Sequence, residues 1–270
     1  MQEFEIEYAE LIREIVTDGT RKQTRNGETK SVFGRSLHVD LTHNNFPIVQ
    51  GRKIFTKGVL GELAAMLRRP THIDDFRNWG CNYWDKWAKP DGSINVDYGN
   101  AWFDFEGYNQ IEALREALRN NPNDRRMIIS GWRPHKLKDL DLPCCHYSYQ
   151  FYVANDTLSM IWTQRSVDMM IGLPSDIVFA AAWLIAITHE FGYKPGTIKF
   201  DLGDCHVYAE HYTASYNYIY NVLEAPDRNL DAPKYFYNAP ELMPFTLFTP
   251  ACLEFNNYGT YPAMKLELKE

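Results

Sequence analysis

The 270-residue sequence has no run of about 18 uncharged apolar residues, so no membrane-spanning helix is expected. Cysteine is scarce: five residues, at 81, 144, 145, 205 and 252, an odd number with no CxxC pair. That usage indicates neither a disulfide framework nor a zinc site, and no metal is expected. Positive charge is also short. The net charge is −7, which argues against a nucleic-acid polymer as ligand, because phosphate backbones require basic stripes. A small anionic ligand needs only a few clustered arginines. There is no repeat, no low-complexity tract and no linker, so a single domain spanning 1–270 is expected. The N-terminus, Met1-Gln-Glu-Phe-Glu, lacks the basic-then-apolar order of a secretory signal, and the cytoplasm is the expected compartment.

What is present is ordinary globular patterning. Apolar residues at 4, 8, 11, 12, 15 and 16 carry a helical period across Glu3–Thr17, and Gly19 ends it. Helices are also predicted over Lys57–Leu67 and Asn109–Arg119. Asp176–Phe191 is almost wholly apolar and is predicted to be a buried central helix closed by Gly192. Strands are predicted over Ser31–Leu41, Arg126–Trp132 and Thr197–Leu202. His146–Val153 and Leu158–Gln164 alternate on either side of Asn155-Asp156, a hairpin signature. Strands and helices mix without a strict βαβ rhythm, which implies an α+β fold with a mixed sheet.

The chemistry concentrates in Leu142-Pro-Cys-Cys-His146, Gln164-Arg-Ser-Val-Asp168 and Gly172-Leu-Pro-Ser-Asp176. Cys144 and Cys145 point to opposite faces if extended. A cysteine nucleophile needs a nearby cation to lower its thiol pKa, and Arg165, across the hairpin, could supply one. Two small buried hydrophobes are the bland alternative. Glu62 lies inside an apolar helix, where a carboxylate is rarely buried without a role. Asp176 follows Pro174-Ser175 at a helix start, so local sequence alone reads it as a cap favoured by the helix dipole.

Taken together, these segments resemble the thymidylate synthase family, in order and in spacing. Asp18-Gly-Thr-Arg-Lys-Gln-Thr-Arg25 resembles its phosphate loop, and Arg25 falls on the phosphate arginine. Gly61-Glu62-Leu63, Trp84-Asp-Lys-Trp87, Val96-Asp-Tyr98-Gly99, Asp124-Arg125-Arg126 and Gly203-Asp-Cys-His206-Val-Tyr208 match further segments. The resemblance covers nearly the whole chain. It implies a homodimer packed through a sheet face, a pyrimidine deoxynucleoside monophosphate as substrate and 5,10-methylenetetrahydrofolate as co-substrate. It assigns Cys145 as nucleophile, with Glu62, Tyr98, His146 and Asp176 in the chemistry. Arg25, Arg165, Ser166, Gln164, His206 and Tyr208 would hold the nucleotide, and Arg125 and Arg126 would reach the partner's phosphate. Trp84, Trp87, Asp168, Leu142, Ile171 and Gly172 would form the folate site.

Asp176 departs from the family's uracil-binding enzymes, which carry Asn there. An amide complements the O4 acceptor and N3 donor of uracil, whereas cytosine offers an amino donor and a bare N3. A carboxyl accepts from the amino group and, when protonated, serves N3. Asp is what the family's phage-type deoxycytidylate hydroxymethylases carry. Ser175 replaces a common Phe, and the tail Lys265-Leu-Glu-Leu-Lys-Glu270 is not small and apolar. Both departures favour water over hydride as the final donor. The expected reaction is therefore dCMP hydroxymethylation, and the alternative is reductive methylation of dCMP or dUMP.

Overall fold

A computed structural model describes residues 1–225 and 230–269. Helix α1 (Glu3–Asp18) buries Phe4, Tyr8, Leu11, Ile12, Ile15 and Val16, the stripe that its period requires. It stops at Gly19, where a Cβ would come within 2.3 Å of the Ile15 carbonyl oxygen. The chain then forms β1 (Thr20–Thr24) and β2 (Gly27–Asp40), joined by a turn at Arg25-Asn26. Helices α2 (Thr56–Met66), α3 (Ile73–Arg77), α4 (Tyr98–Phe103) and α5 (Gln110–Asn120) follow, with Tyr83–Trp87 in a 3-10 turn. Next come β3 (Ile128–Ser130), β4 (His146–Ala154) and β5 (Thr157–Asp168). The predicted hairpin forms here, with Asn155 and Asp156 at φ 50° and 58°, the left-handed pair a type I′ turn demands.

Helix α6 (Gly172–Phe191) crosses over to β6 (Lys194–Tyr208), which pairs in parallel with β5. All other pairings in the sheet are antiparallel, in the order β1-β2-β6-β5-β4-β3, so the sheet is mixed as expected. Helix α7 (Tyr212–Ile219) and a two-stranded ribbon of β7 (Lys234–Tyr237) and β8 (Leu253–Asn256) complete the fold. Among the described helices only α6 is long and apolar enough to cross a membrane, but it is mostly buried among the sheet and helices. The core is one cluster around Trp102, Trp162, Trp183, Tyr149 and Phe179, with Trp102 and Trp183 stacked at 4.5 Å.

Several boundaries differ from the sequence reading: β2 begins at Gly27 rather than Ser31, β5 runs to Asp168 rather than Gln164, and three more bear on the site. The strand predicted over Arg126–Trp132 shrinks to Ile128–Ser130, because Asp124 turns the chain by accepting from the Arg126 N–H. The strand predicted over Thr197–Leu202 runs on to Tyr208, carried by pairing with β2 and β5. Helix α6 begins four residues early. Asp168 Oδ1 accepts from the N–H groups of Met170 and Ile171 and sets up the turn into it. Pro174 is tolerated because the first-turn N–H groups have no helical partner. Asp176 is thereby moved out of the cap into the second turn, and the cap reading is wrong for it.

Candidate active site

A cavity of about 730 Å³ opens where the ends of β4, β5 and β6 meet α2, the start of α6 and the C-terminal segment. That volume lies within the range of small-molecule sites. Sixteen of the nineteen residues singled out from sequence line it: Cys145, Glu62, Asp176, Tyr98, His146, Arg25, Arg165, Ser166, His206, Tyr208, Trp84, Trp87, Asp168, Leu142, Ile171 and Gly172. Gln164 is fully buried behind the wall, reaching Asp176 from beneath. Arg125 and Arg126 do not line the cavity. They lie exposed before β3, with Arg126 paired to Asp124 at 2.8 Å.

Cys145 sits immediately before β4. Its N–H donates to the Tyr98 hydroxyl at 2.9 Å, and its carbonyl accepts from the Arg165 N–H at 2.9 Å. Burial pushes the thiol pKa up, and the Arg165 charge opposes that shift without overcoming it. The Arg165 side chain donates to the carbonyls of Cys144 and Pro143, at 2.8 and 3.0 Å. Arg165 thus acts in the expected direction, but desolvation is the larger effect. The Cys144 thiol faces the Gly131 carbonyl, away from the cavity.

Two carboxyls of raised pKa share the cavity with this thiol. Glu62 on α2 accepts from the Tyr83 hydroxyl and the Trp84 indole, each at 2.6 Å. Burial still raises its pKa to about 7, against the pull of those two donors. Asp176 accepts from the Gln164 amide at 2.7 Å, and its pKa is raised to about 8 by burial and then by the Glu62 charge. Each keeps limited access to the cavity; the Asp176 side chain is 18% exposed. His146 is buried with Nδ1 2.6 Å from the Tyr149 hydroxyl and Nε2 3.9 Å from Asp176. Burial lowers its pKa to about 3, so it is a neutral imidazole.

The opposite wall is suited to an anion and a sugar. Arg25 is exposed in the β1–β2 turn, and His206 and Tyr208 project from the end of β6. Burial lowers the His206 pKa, but the carboxylates of Asp204 and Asp168 outweigh it and raise the net value. On the third side, Trp84 and Trp87 pack at 5.4 Å beside Leu142 and Ile171. Asp168 lines this wall while also anchoring the turn before α6.

Sequence reasoning missed several lining residues. Arg52 is buried, with its guanidinium on the Met170 carbonyl, and Tyr83 was legible only as a neighbour of Trp84. Met264, Leu266, Leu268 and Lys269 also face the cavity. The tail is tied down by Lys86 on the Leu268 carbonyl at 2.7 Å and by Lys269 on Glu210 at 2.9 Å. Nothing in a tail of alternating charge signals that docking. Glu270 lies outside the described residues.

A buried thiol, two carboxyls of raised pKa and two arginines share this pocket, the kinds of group that nucleophilic catalysis on a small anionic substrate requires. Residues 6–269 match the family model described as thymidylate synthase. The chain belongs to the thymidylate synthase family, and the mixed sheet with its buried helix is that family's fold. It is accordingly a pyrimidine-nucleotide C5 transferase, with methylenetetrahydrofolate as the family's co-substrate.

Proposed function

We propose that this chain hydroxymethylates dCMP at C5, as a homodimer. The observation that carries the reading is Asp176. It is a carboxyl at the cavity wall whose pKa of about 8 keeps it protonated near neutrality. Such a group donates to the bare N3 of cytosine, and its second oxygen accepts from the 4-amino group.

Arg25, Arg165 and Ser166 hold the phosphate, and His206 and Tyr208 hold the sugar hydroxyl. The Cys145 thiolate adds to C6, and Arg165 is the cation that opposes part of the effect of its burial. As the C5–C6 electron pair moves toward C4 and N3, Asp176 gives N3 its proton. C5, made nucleophilic, accepts the one-carbon unit that a bound methylenetetrahydrofolate supplies. Trp84, Trp87, Leu142, Ile171 and Gly172 would hold that group, and their largely apolar wall fits a flat heteroaromatic ring. Glu62, with a pKa of about 7, is matched to remove the C5 proton at neutral pH. C5 carries an exocyclic methylene once the folate amine departs, water adds to that carbon to give the hydroxymethyl group, and Asp176 recovers its proton as the thiolate leaves.

Two features favour water as the final reactant. Ser175 lines the cavity with its hydroxyl turned back to the Ile171 carbonyl at 3.1 Å, so this wall is thin. The tail over the site is fastened by lysines rather than by apolar packing alone. The apolar contacts of Met264, Leu266 and Leu268 with the cavity favour the second reading, reductive methylation of dCMP or dUMP. Tritium release from C5-labelled dCMP and dUMP, with the product mass, separates them. Hydroxymethylation adds a CH2O unit and leaves dihydrofolate absorbance flat; a rise in that absorbance, or release from dUMP alone, overturns the proposal.

The homodimer is supported by a second cavity of about 520 Å³ lined by Phe33, Arg35, Tyr147, Thr163, Arg165 and Asp201. Phe33 is 78% exposed there, and Arg165 lines both cavities. A partner packed on this face would carry its Arg125 and Arg126 toward the phosphate. That neither arginine lines its own cavity supports this assignment.

A further inference from the structure

Behind the candidate site lies a hydrogen-bond chain whose direction is fixed at one end. The Trp162 indole N–H donates to Gln164 Oε1 at 3.1 Å, and Gln164 Nε2 donates to Asp176 Oδ2 at 2.7 Å. A glutamine amide can ordinarily turn over and exchange its donor and acceptor ends. An indole cannot, because it only donates. Trp162 is fully buried, packed between His146 at 4.4 Å, Tyr149 at 4.8 Å, Phe179 at 5.8 Å and Phe200 at 6.0 Å, so it cannot swing away. Gln164 is also buried, at 2% exposure. With its oxygen held by the indole, the amide must present N–H to Asp176. Oδ2 is therefore an acceptor, and the neutral acid is favoured with its proton on Oδ1, because the unprotonated oxygen is the better acceptor for the amide N–H.

We infer that Trp162 is a positioning residue for base recognition. Acting through Gln164, it dictates which oxygen of Asp176 carries the proton and so presents one donor and one acceptor in fixed order to the pyrimidine edge. Oδ1 is the oxygen nearer His146, whose Nε2 is 3.9 Å away. If the amide turned over, its oxygen would demand the proton on Oδ2, and the order offered to the base would invert. The inference rests on the cytosine reading for its substrate, but the proton's location does not depend on that reading.

The charged and titratable groups facing Asp176 come from four elements, α2, α4, β4 and β5. They are Glu62 from α2, Cys145 and His146 at β4 with Tyr149 behind them, Asp168 from β5, and Tyr98. Their effects on Asp176 remain when the indole N–H is removed, so a change at Trp162 is read against a constant background.

The test replaces the N–H while keeping the ring. Trp162→Phe is the simple variant. Trp162→3-benzothienylalanine, introduced site-specifically, keeps the bicyclic shape and guards against core collapse. In the substrate-free protein, the Asp176 carboxyl is followed by 13C NMR over a pH titration, assigned by its loss in Asp176→Asn. The expected result is an upward move of the Asp176 titration in both variants, since the Gln164 amide, freed from the indole, can turn over and accept from the neutral acid, which stabilises the protonated form. With dCMP, kcat should fall about ten- to hundredfold while KM changes little, as expected when a reacting proton is misplaced. The dCMP:dUMP ratio should narrow. A titration and a kcat unchanged in the folded benzothienyl variant overturn the inference. A wild type that prefers dUMP overturns the cytosine reading instead, and the substrate-free titration still decides the role of Trp162.

Discussion

At the scale of single residues, the site works by withholding charge. Cys145, Glu62 and Asp176 all have pKa values raised by burial, and His146 is kept neutral by the same cause. Asp176→Asn should reverse the base preference. The amide matches uracil, and an unmatched buried polar group costs about 1–3 kcal/mol, or roughly 5- to 150-fold in the dCMP:dUMP ratio of kcat/KM. An unchanged ratio counts against base reading by Asp176. The carboxyl is active as an acid, so kcat/KM on dCMP should decline as pH rises through about 8. The same shift has a sign in stability. A carboxyl whose folded pKa exceeds 3.8 costs nothing below that pH and an increasing amount up to about 8. Asp176→Asn should therefore gain stability relative to wild type between those limits, which denaturant melts at pH 4 and pH 8 would reveal. Cys145→Ser should abolish tritium release while Cys144→Pro retains much of it, because the Cys144 thiol is turned to Gly131. Near-normal turnover by Cys145→Ser would remove the covalent mechanism.

At the scale of elements, α6 is both the core and the platform of the site. Its apolar length was legible in sequence, since fifteen of its twenty residues are buried. Its start was not, because the turn that launches it is built by Asp168, several residues upstream. Its end was legible: Gly192 adopts φ 73° and its N–H closes the helix on Thr188. Gly192→Ala should cost about 1–2 kcal/mol, the penalty of a left-handed backbone for a residue with Cβ. A thermal melt should fall by several degrees, with activity per folded molecule unchanged. A melt equal to wild type would show that the helix end relaxes. The elements missed in sequence, β1, β7 and β8 among them, are short, and β1 is exposed along its whole length, so no alternation marks it.

At the scale of the whole molecule, the site described in one chain lacks the arginine pair that the sequence assigned to it. If Arg125 and Arg126 serve a partner, two inactive chains should complement each other. Mixing Cys145→Ser with Arg126→Glu should restore about a quarter of wild-type turnover, because half the dimers of a two-fold assembly are hybrids with one whole site. Hybrid dimers that form and stay inactive would show that each site is complete within its own chain.

The sequence by itself determined the family, the mixed α+β class, the buried helix and most of the residues that line the cavity. These depend on local order and period, which a linear pattern carries. Only the tertiary structure decided that Asp176 is a buried acid rather than a cap, because its environment comes from α2, β4 and β5 at once. It also decided the docking of the C-terminal tail and the one-way chain from Trp162 through Gln164. Desolvation and hydrogen-bond direction depend on which segments meet, and residues a hundred or more positions apart meet only in the fold.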